Sequence, residues 1–227
     1  MISFFGYSII KHPQDISQLN LVTASISAHA RSHARILAID NENFSPKTVL
    51  ENRGFSIRHL KDLSDPSQAK DYDIILCDIK GVGESFESQL EGAYLAVRIK
   101  TIYPHKKVIF YTSSGYDGKY NDSLKKIDGY IDKDANSDDW EELLNKFVLE
   151  CSNPLSQWKI VRAGLLLNDV PILNVMNLEG RYIQAVINKN SALFPGDGLL
   201  DNLPEEIKGV VTSVAKSLVF KLIGLPG

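Results

Sequence analysis

Several features that would place the chain in a special class are scarce or missing. Only two cysteines, Cys77 and Cys151, occur among 227 residues, too few for the disulfide framework of a small secreted protein. Because they are far apart and Cys77 lies inside an apolar run, we expect reduced thiols and a cytoplasmic protein. No apolar run reaches the roughly 18 residues that a membrane-spanning helix needs. The N-terminal stretch MISFFGYSII also lacks the basic start and cleavage site of a signal peptide.

A strong excess of charge of either sign is also missing. The formal net charge is −3, from 25 basic and 28 acidic residues. This balance provides no global field that would attract nucleic acid or an anionic membrane surface, so any such binding must be local. The 44% hydrophobic content is typical of a globular protein with a core. The length suits one good-sized domain together with a smaller one.

Five short runs rich in Ile, Val, Phe or Tyr, each bounded by polar or turn residues, predict β-strands. The stretches between them show the apolar spacing of helices. Strands that alternate with helices are typical of a parallel sheet with right-handed crossovers. We therefore predict a three-layer α/β domain over residues 34–150, after an N-terminal extension, residues 1–33, whose role stays open. The predicted strands are ILAID (36–40), GFSIRHL (54–60), DIILCD (73–78), KVIFYT (107–112) and DGYIDK (128–133).

Residues 151–227 show helical patterns and no strand pattern, which predicts a small all-helical C-terminal unit. Asn153 and Pro154 are typical of the cap and first turn of a helix. Helices are predicted over 153–167, 178–189 and 205–223, the last with apolar residues at steps of three and four.

The charge of this C-terminal unit bears on its partners. It carries seven basic and six acidic residues, so DNA binding is not expected. The apolar stripe of its last helix suits burial, either against the preceding domain or against a second copy of the chain. Packing onto its own domain and homodimerisation through the C-terminal helices both stay open.

Polar side chains follow four of the predicted strands at the point where each strand ends. In an open parallel sheet these ends lie along one edge, so we expect the side chains to converge there. Clustered carboxylates repel one another unless a hard cation such as Mg²⁺ lies between them. A carboxylate can also act as a nucleophile toward phosphorus, with an ammonium pairing with the transferred oxygens. The residues are Asp40, Asn41 and Glu42 after strand one, Asp78 at strand three, Thr112 and Ser113 at strand four, and Lys133 at strand five.

Four segments, in this order, resemble the receiver domain of two-component response regulators: ILAIDNE, DIILCDIKGVG, VIFYTSSG and DGYIDKDA. The resemblance covers about residues 34–150 and implies a flavodoxin-like parallel sheet with strand order 2-1-3-4-5, flanked by helices. It also implies a signalling protein that accepts a phosphoryl group from a histidine kinase or phosphotransfer protein and signals to a downstream protein partner.

The same resemblance assigns a role to each residue at the sheet edge. No enzymatic activity is expected from it beyond self-phosphorylation and autodephosphorylation. Asp78 would be the phosphoacceptor, Thr112 and Lys133 would act on the phosphoryl group, and Tyr130 would be the aromatic switch. The cofactor would be Mg²⁺, held at Asp40, Asn41, Asp78 and Lys80.

Three positions depart from the family pattern and leave alternatives open. Asn41 stands where a second acid is usual, and because its amide oxygen carries no charge we expect weaker Mg²⁺ binding. Val82 replaces a proline, which predicts a looser loop after Asp78, and Asp134 stands where a proline often follows the lysine. One alternative is a pseudo-receiver that acts as a binding or scaffold module without phosphorylation. Another is a phosphohydrolase, although such enzymes usually carry an acid at the place of Lys80.

Two further candidates have simpler explanations than function. Cys77 directly precedes Asp78, so its side chain should point to the opposite face of the sheet and lie in the core. His29 and His33 are four residues apart, which would suit a metal on a helix. Because no third ligand stands nearby in the sequence, we expect a solvated helix face instead.

Overall fold

In the computed structural model of the protein, residues 24–113, 118–196, 198–201 and 203–223 are described. Five parallel strands form one sheet in the order β2-β1-β3-β4-β5, which confirms the predicted flavodoxin-like arrangement. The first part of the predicted N-terminal extension, residues 1–23, lies outside the described residues. Each strand lies within two residues of its predicted bounds: β1 (Arg35–Ile39), β2 (Ser56–Leu60), β3 (Ile74–Asp78), β4 (Lys107–Thr112) and β5 (Gly129–Asp132).

The two central strands are buried along their whole length. Every residue of β3 and β4 is buried, as expected for a parallel sheet covered on both faces. On one face, the Trp140 ring packs edge to face against Phe44 and Tyr111, with centroid distances of 5.5 and 5.9 Å. The core on the other face contains Phe110 and Cys77, so the prediction that Cys77 is a core residue is confirmed.

Helices pack on both faces of this sheet. The helix after Ser45 begins at Lys47, because Pro46 takes the cap position, and no side chain caps it. Gly54 follows the end of this helix with a φ of 91°, a backbone conformation that favours glycine. The helices of this part are α1 (Ala24–His33), α2 (Lys47–Asn52), α3 (Gly92–Ile102), α4 (Asn121–Leu124) and α5 (Ser137–Ser152).

One region of the sheet is covered more thinly than the rest. Between β2 and β3 the chain forms only a four-residue 3₁₀ turn, Pro66–Ala69. The side chains at the start of β1 and β2 are consequently exposed; they are Arg35, Ser56 and Arg58. The region where β1 and β2 begin is therefore open to solvent.

The described residues of the C-terminal part form helices joined by turns and contain no strand, as predicted. The side chain of Asn153 accepts a hydrogen bond of 2.8 Å from the backbone N–H of Ser156, which confirms it as a helix cap. These helices share a core of their own, in which the rings of Trp158 and Tyr182 stack at 4.9 Å. They are α6 (Pro154–Leu167), α7 (Ile172–Ile187), α8 (Glu205–Ala215) and α9 (Leu218–Ile223).

Two helix predictions in this part need correction. Helix α7 begins at Ile172, six residues before the predicted start at residue 178. The single last helix predicted over 205–223 is wrong, because the chain breaks between Ala215 and Leu218 into α8 and α9. Within the described ranges, no helix combines the length and apolar character needed to cross a membrane.

Helices α8 and α9 dock on the edge of the sheet where the strands begin. The carboxylate of Asp73, just before β3, accepts hydrogen bonds from the backbone N–H of Leu218 at 2.8 Å and from Lys221 Nζ at 2.5 Å. It also accepts one from the backbone N–H of Arg35 at 2.9 Å. Leu218 belongs to the same core cluster as the sheet. The C-terminal helices thus pack onto their own domain, and homodimerisation stays a prediction.

Candidate functional site

The opposite edge, where the strands end, gathers two carboxylates around one ammonium. Asp78 ends β3, Asp40 follows β1, and Lys133 follows β5. Lys133 Nζ lies 2.6 Å from Asp78 Oδ2 and 3.1 Å from Asp40 Oδ2. Because the three strand ends meet at one edge of the sheet, residues 38 and 55 positions apart in sequence share one hydrogen-bonding network. The predicted convergence of Asp40, Asp78 and Lys133 is therefore present in the structure.

The remaining carboxylate oxygens face backbone N–H groups. Asp40 Oδ1 accepts a hydrogen bond of 2.9 Å from the Glu42 amide, and Asp78 Oδ1 lies 3.4 Å from the Lys80 amide. Both acidic residues are buried, with 1% and 4% of their surface exposed. The two carboxylates and one ammonium leave a single negative charge in this pocket, apart from the exposed Glu42.

The two carboxyl groups have opposite pKa shifts. Burial raises the pKa of Asp78, and the negative charge of Asp40 adds to the rise, while Lys133 opposes it. Burial also acts on Asp40, but hydrogen bonds from the Glu42 amide and Lys133 outweigh it and lower its pKa. Burial alone would lower the pKa of Lys133, yet its contacts with both carboxylates raise it. Asp40 and Lys133 are thus charged, and Asp78 is the group held closest to protonation.

Other predicted site residues stand apart from this network. Thr112 ends β4, but its hydroxyl faces the Ser113 carbonyl at 3.4 Å and does not contact Asp78 or Lys133. Tyr130 lies on β5 with 43% of its surface exposed. Asn41 and Lys80 are exposed as well, with the amide of Asn41 lying against Gly81. Their roles in phosphorylation and switching stay predictions.

The donors for a hard cation are oxygens, as Mg²⁺ requires, but they are few. Asp40 and Asp78 are in contact with the same ammonium, and the exposed Asn41 amide and the main chain at Lys80 lie next to them in sequence. Among the described residues, no group of three or more His, Cys, Asp or Glu side chains is arranged to hold a metal ion. This set fits Mg²⁺ in kind, and its two contacting carboxylates predict weak affinity.

The loop after Asp78 is held by two carboxylates that sequence reasoning missed. Asp62 accepts a hydrogen bond of 2.6 Å from the Gly83 amide, and Glu91 accepts one of 2.8 Å from the Gly81 amide. Gly81 and Gly83 have left-handed φ values of 70° and 74°, respectively, which glycine adopts at little cost. Both glycine amides are thus anchored, and a looser loop than one with proline at Val82 stays a prediction.

A sequence signal for one of these anchors did exist. Asp62 follows the end of β2 at Leu60, just as Asp40 follows β1, so the strand-end argument applied to β2 would have pointed to it. Glu91 carried no comparable signal, because it approaches the loop only through the packing of α3 on the sheet.

Gly92 at the start of α3 brings that helix against the end of β3. A Cβ atom added there would lie 1.9 Å from the Asp78 carbonyl oxygen and 2.6 Å from a methyl group of Val82. Gly92→Ala is expected to lower the free energy of unfolding by about 2 kcal/mol, because backbone must move to relieve the overlap. Urea unfolding followed by circular dichroism measures this loss.

The matched control is Gly209→Ala in α8, where an added Cβ meets no atom within 4 Å. There we expect a gain of about 0.5–1 kcal/mol from the higher helix propensity of alanine. Equal effects of the two substitutions would show that the end of β3 tolerates a methyl group and that close packing of α3 does not hold this strand end in place.

Comparisons with known proteins concern the fold of about half the chain. No protein-family model and no curated protein sequence matches this chain. A CheY-like response regulator receiver domain protein from Methanospirillum hungatei is 22% identical with a TM-score of 0.44, over 52% of this chain and 94% of that one. A response regulator from Thermotoga maritima is 21% identical with a TM-score of 0.42, over 51% and 98%. The receiver domain of NtrX from Brucella abortus is 19% identical with a TM-score of 0.43, over 50% and 98%.

Likeness at this level of identity concerns the fold and not the activity. The strand order described above establishes that fold for the present chain. The resemblance to receiver domains found in the sequence motifs is confirmed in this sense.

Proposed function

We propose that the chain is a receiver-type signalling protein whose Asp78 accepts a phosphoryl group from a partner histidine kinase or phosphotransfer protein. The observation that supports this most directly is the position of Lys133, whose ammonium lies 2.6 Å from Asp78 and 3.1 Å from Asp40. A nucleophilic carboxylate, a cation for the transferred oxygens and a second carboxylate thus belong to one network.

In the proposed reaction, Asp78 Oδ1 attacks the phosphorus of a phosphohistidine on the partner. A P–O bond forms, the P–N bond to the imidazole breaks, and its electron pair returns to the ring nitrogen, which takes up a proton from solvent. Lys133 holds Oδ2 at 2.6 Å, which leaves Oδ1 as the attacking oxygen. Burial raises the pKa of Asp78, and the ammonium of Lys133 opposes this rise and so favours the ionised nucleophile.

Magnesium belongs to the proposal as a weakly held cofactor. Asp40, Asp78 and Asn41, together with the main chain at Lys80, would hold it. When bound, Mg²⁺ would neutralise charge on the phosphoryl oxygens. Asn41 in place of an acid removes one negative charge from this donor set, so Mg²⁺ is expected to act only at high concentration.

Phosphorylation would change the charge of this edge by about −1.5 to −2. The new oxygens would draw Lys133 and Thr112 toward them and alter the face formed by β4 and β5, including the exposed Tyr130. We propose that the C-terminal helices report this change by protein contact and not by binding DNA. A surface for such contact, or for a second copy of the chain, is formed by exposed apolar side chains at the turn between α6 and α7: Leu166, Leu167, Ile172, Leu173 and Met176.

The direct test is phosphorylation by acetyl phosphate with Mg²⁺, followed by intact-protein mass spectrometry. We expect one added phosphoryl group on the native protein and none on Asp78→Asn, which keeps the shape of the side chain but removes its nucleophilic oxygen anion. Asp134→Asn, one residue beyond Lys133, removes an exposed carboxylate and serves as the control. It is expected to be modified as the native protein is.

Other outcomes of this test would assign the chain differently. A phosphoryl group that persists on Asp78→Asn would place the acceptor elsewhere. No modification of the native protein, even at high Mg²⁺, would favour the pseudo-receiver, a binding or scaffold module without phosphorylation. The observation that favours this second candidate is the small donor set for Mg²⁺, since the described residues hold no group of three acidic, histidine or cysteine side chains arranged for a metal ion.

A further inference from the structure

Two arginines lie side by side at the edge of the sheet where β1 and β2 begin. In the parallel pairing of these strands, Arg35 is opposite Ser56 and Leu37 is opposite Arg58. Side chains two residues apart on a strand point to the same face, so Arg35 and Arg58 share one face on adjacent strands. Diagonal neighbours of this kind are separated by roughly 7–8 Å, a distance that two arginine side chains can close around one ligand.

Among the described residues, no helix closes the face that carries these arginines where β1 and β2 begin. Only the four-residue 3₁₀ turn Pro66–Ala69 lies between β2 and β3 in the sequence. A groove of about 340 Å³ opens there, lined chiefly by Arg35, Ser56, Arg58, Gln68, Asp71 and Tyr72. Sites for small molecules usually have volumes of roughly 300–1,000 Å³, so this groove holds more than a bare inorganic anion.

The charge around the groove is strongly positive, although the chain as a whole is negative. Within the described part of the chain, the side chains of Arg35 and Arg58 have no hydrogen bond or ion pair. Lys70 and Lys216 border Asp71, whose carboxylate is bound by Lys216 at 3.1 Å. Two guanidinium groups and one carboxylate thus line the groove, and Lys216 neutralises that carboxylate.

We infer that this groove binds a small organic phosphate, with the guanidinium groups of Arg35 and Arg58 on the phosphate oxygens. The planar guanidinium matches phosphate oxygens with paired hydrogen bonds, and a dianion gains more than a monoanion from the local excess of charge. Ser56 and Tyr72 offer hydroxyl groups beside it, and the remaining volume accommodates the organic part. This site is separate from Asp78 and does not depend on its phosphorylation.

The test is a titration of ¹⁵N-labelled full chain at low ionic strength, with adenosine monophosphate, inorganic phosphate and adenosine as separate probes. We expect adenosine monophosphate to shift the backbone amide signals of Ser56 and Tyr72 in a saturable way. Arg58→Gln should weaken its affinity about tenfold or more, as for the loss of a charge-assisted hydrogen bond. Inorganic phosphate should bind more weakly, and adenosine should leave these signals unchanged.

Arg98→Gln provides the matched control, because Arg98 is an exposed arginine on α3, outside the groove. It should leave the affinity for adenosine monophosphate unchanged. Arg58 and Arg98 are both exposed, so neither substitution removes a buried side chain. An equal loss in Arg98→Gln would overturn the inference by showing non-specific attraction. The inference would also be overturned if adenosine or inorganic phosphate bound as tightly as adenosine monophosphate, or if no saturable shift occurred at millimolar concentrations. The arginines would then serve only to protect the edge strand β2 from pairing with another chain.

Discussion

Asp73→Ala is expected to lower the free energy of unfolding by about 3–5 kcal/mol, because it leaves a largely buried ammonium without its partner. Lys221 Nζ lies 2.5 Å from the Asp73 carboxylate, and the two side chains are only 18% and 4% exposed. The same carboxylate accepts hydrogen bonds from the amides of Leu218 and Arg35. Removing this carboxylate therefore leaves three donors without an acceptor at the contact between the sheet and α9. Urea unfolding measures the loss.

A second ion pair between the same parts of the chain provides the control. Lys216 contacts Asp71 at 3.1 Å, but these side chains are 53% and 38% exposed. Asp71→Asn is therefore expected to cost at most about 1 kcal/mol. The double substitution Asp73→Ala with Lys221→Met should recover part of the loss, since no buried charge remains. If Asp73→Ala cost no more than Asp71→Asn, the docking of α9 would not depend on this carboxylate.

Acidification is expected to destabilise the protein through His105, by about 1.4 kcal/mol for each pH unit below the ordinary histidine pKa of about 6.5. His105 is 3% exposed and lies against α8, where its Nε2 is 3.2 Å from the Ser213 hydroxyl. That hydroxyl donates to the Lys70 carbonyl, so the imidazole nitrogen is the donor to Ser213. Nδ1 is buried without a hydrogen-bond partner among the described residues. Burial, with Lys106 and Lys100 adding repulsion, holds the pKa of His105 well below its usual value.

The direction of this effect follows from proton binding. Below pH 6.5 the unfolded chain takes up a proton on His105 that the folded chain cannot, so the stability present above that pH is lost as the pH falls toward the folded pKa. Between pH 6.5 and 4.5 the loss grows as the pH falls, and it stops growing once the pH passes the folded pKa of His105. Unfolding in urea across this range measures it, with His105→Gln as the comparison because glutamine does not titrate. Parallel stability profiles for the two proteins would contradict the prediction.

The strands were predictable because their signals are local. The central strands β3 and β4 are short apolar runs, and a parallel strand buried on both faces shows no competing polar pattern. The edge strand β2 is half alternating, with Ser56 and Arg58 exposed, and was marked by the glycine before it. The end of α2 was predictable for a similar reason, since Gly54 adopts a left-handed φ that few other residues tolerate. Helix starts were less certain, because Pro46 is as compatible with the cap position as with the first turn.

The break in the last helix has a cause that the local pattern does not contain. The apolar spacing continues from Ile207 to Ile223 as if one helix ran through it. In the fold, the amide of Leu218 donates to Asp73, 145 residues earlier, at the first residue of α9. A residue far away in sequence thus caps the helix, and helix periodicity carries no information about such a partner.

The sequence alone was enough to state which side chains stand at strand ends, because strand ends are marked locally. Since parallel strands end along the same edge of a sheet, it also placed Asp40, Asp78 and Lys133 at one edge. It was not enough to state how those charges are satisfied. That Lys133 bridges both carboxylates, that Asp62 and Glu91 anchor the loop, and that Asp73 receives Lys221 from 148 residues away follow from packing of distant segments. Such contacts depend on the distances between folded elements, which no local pattern records.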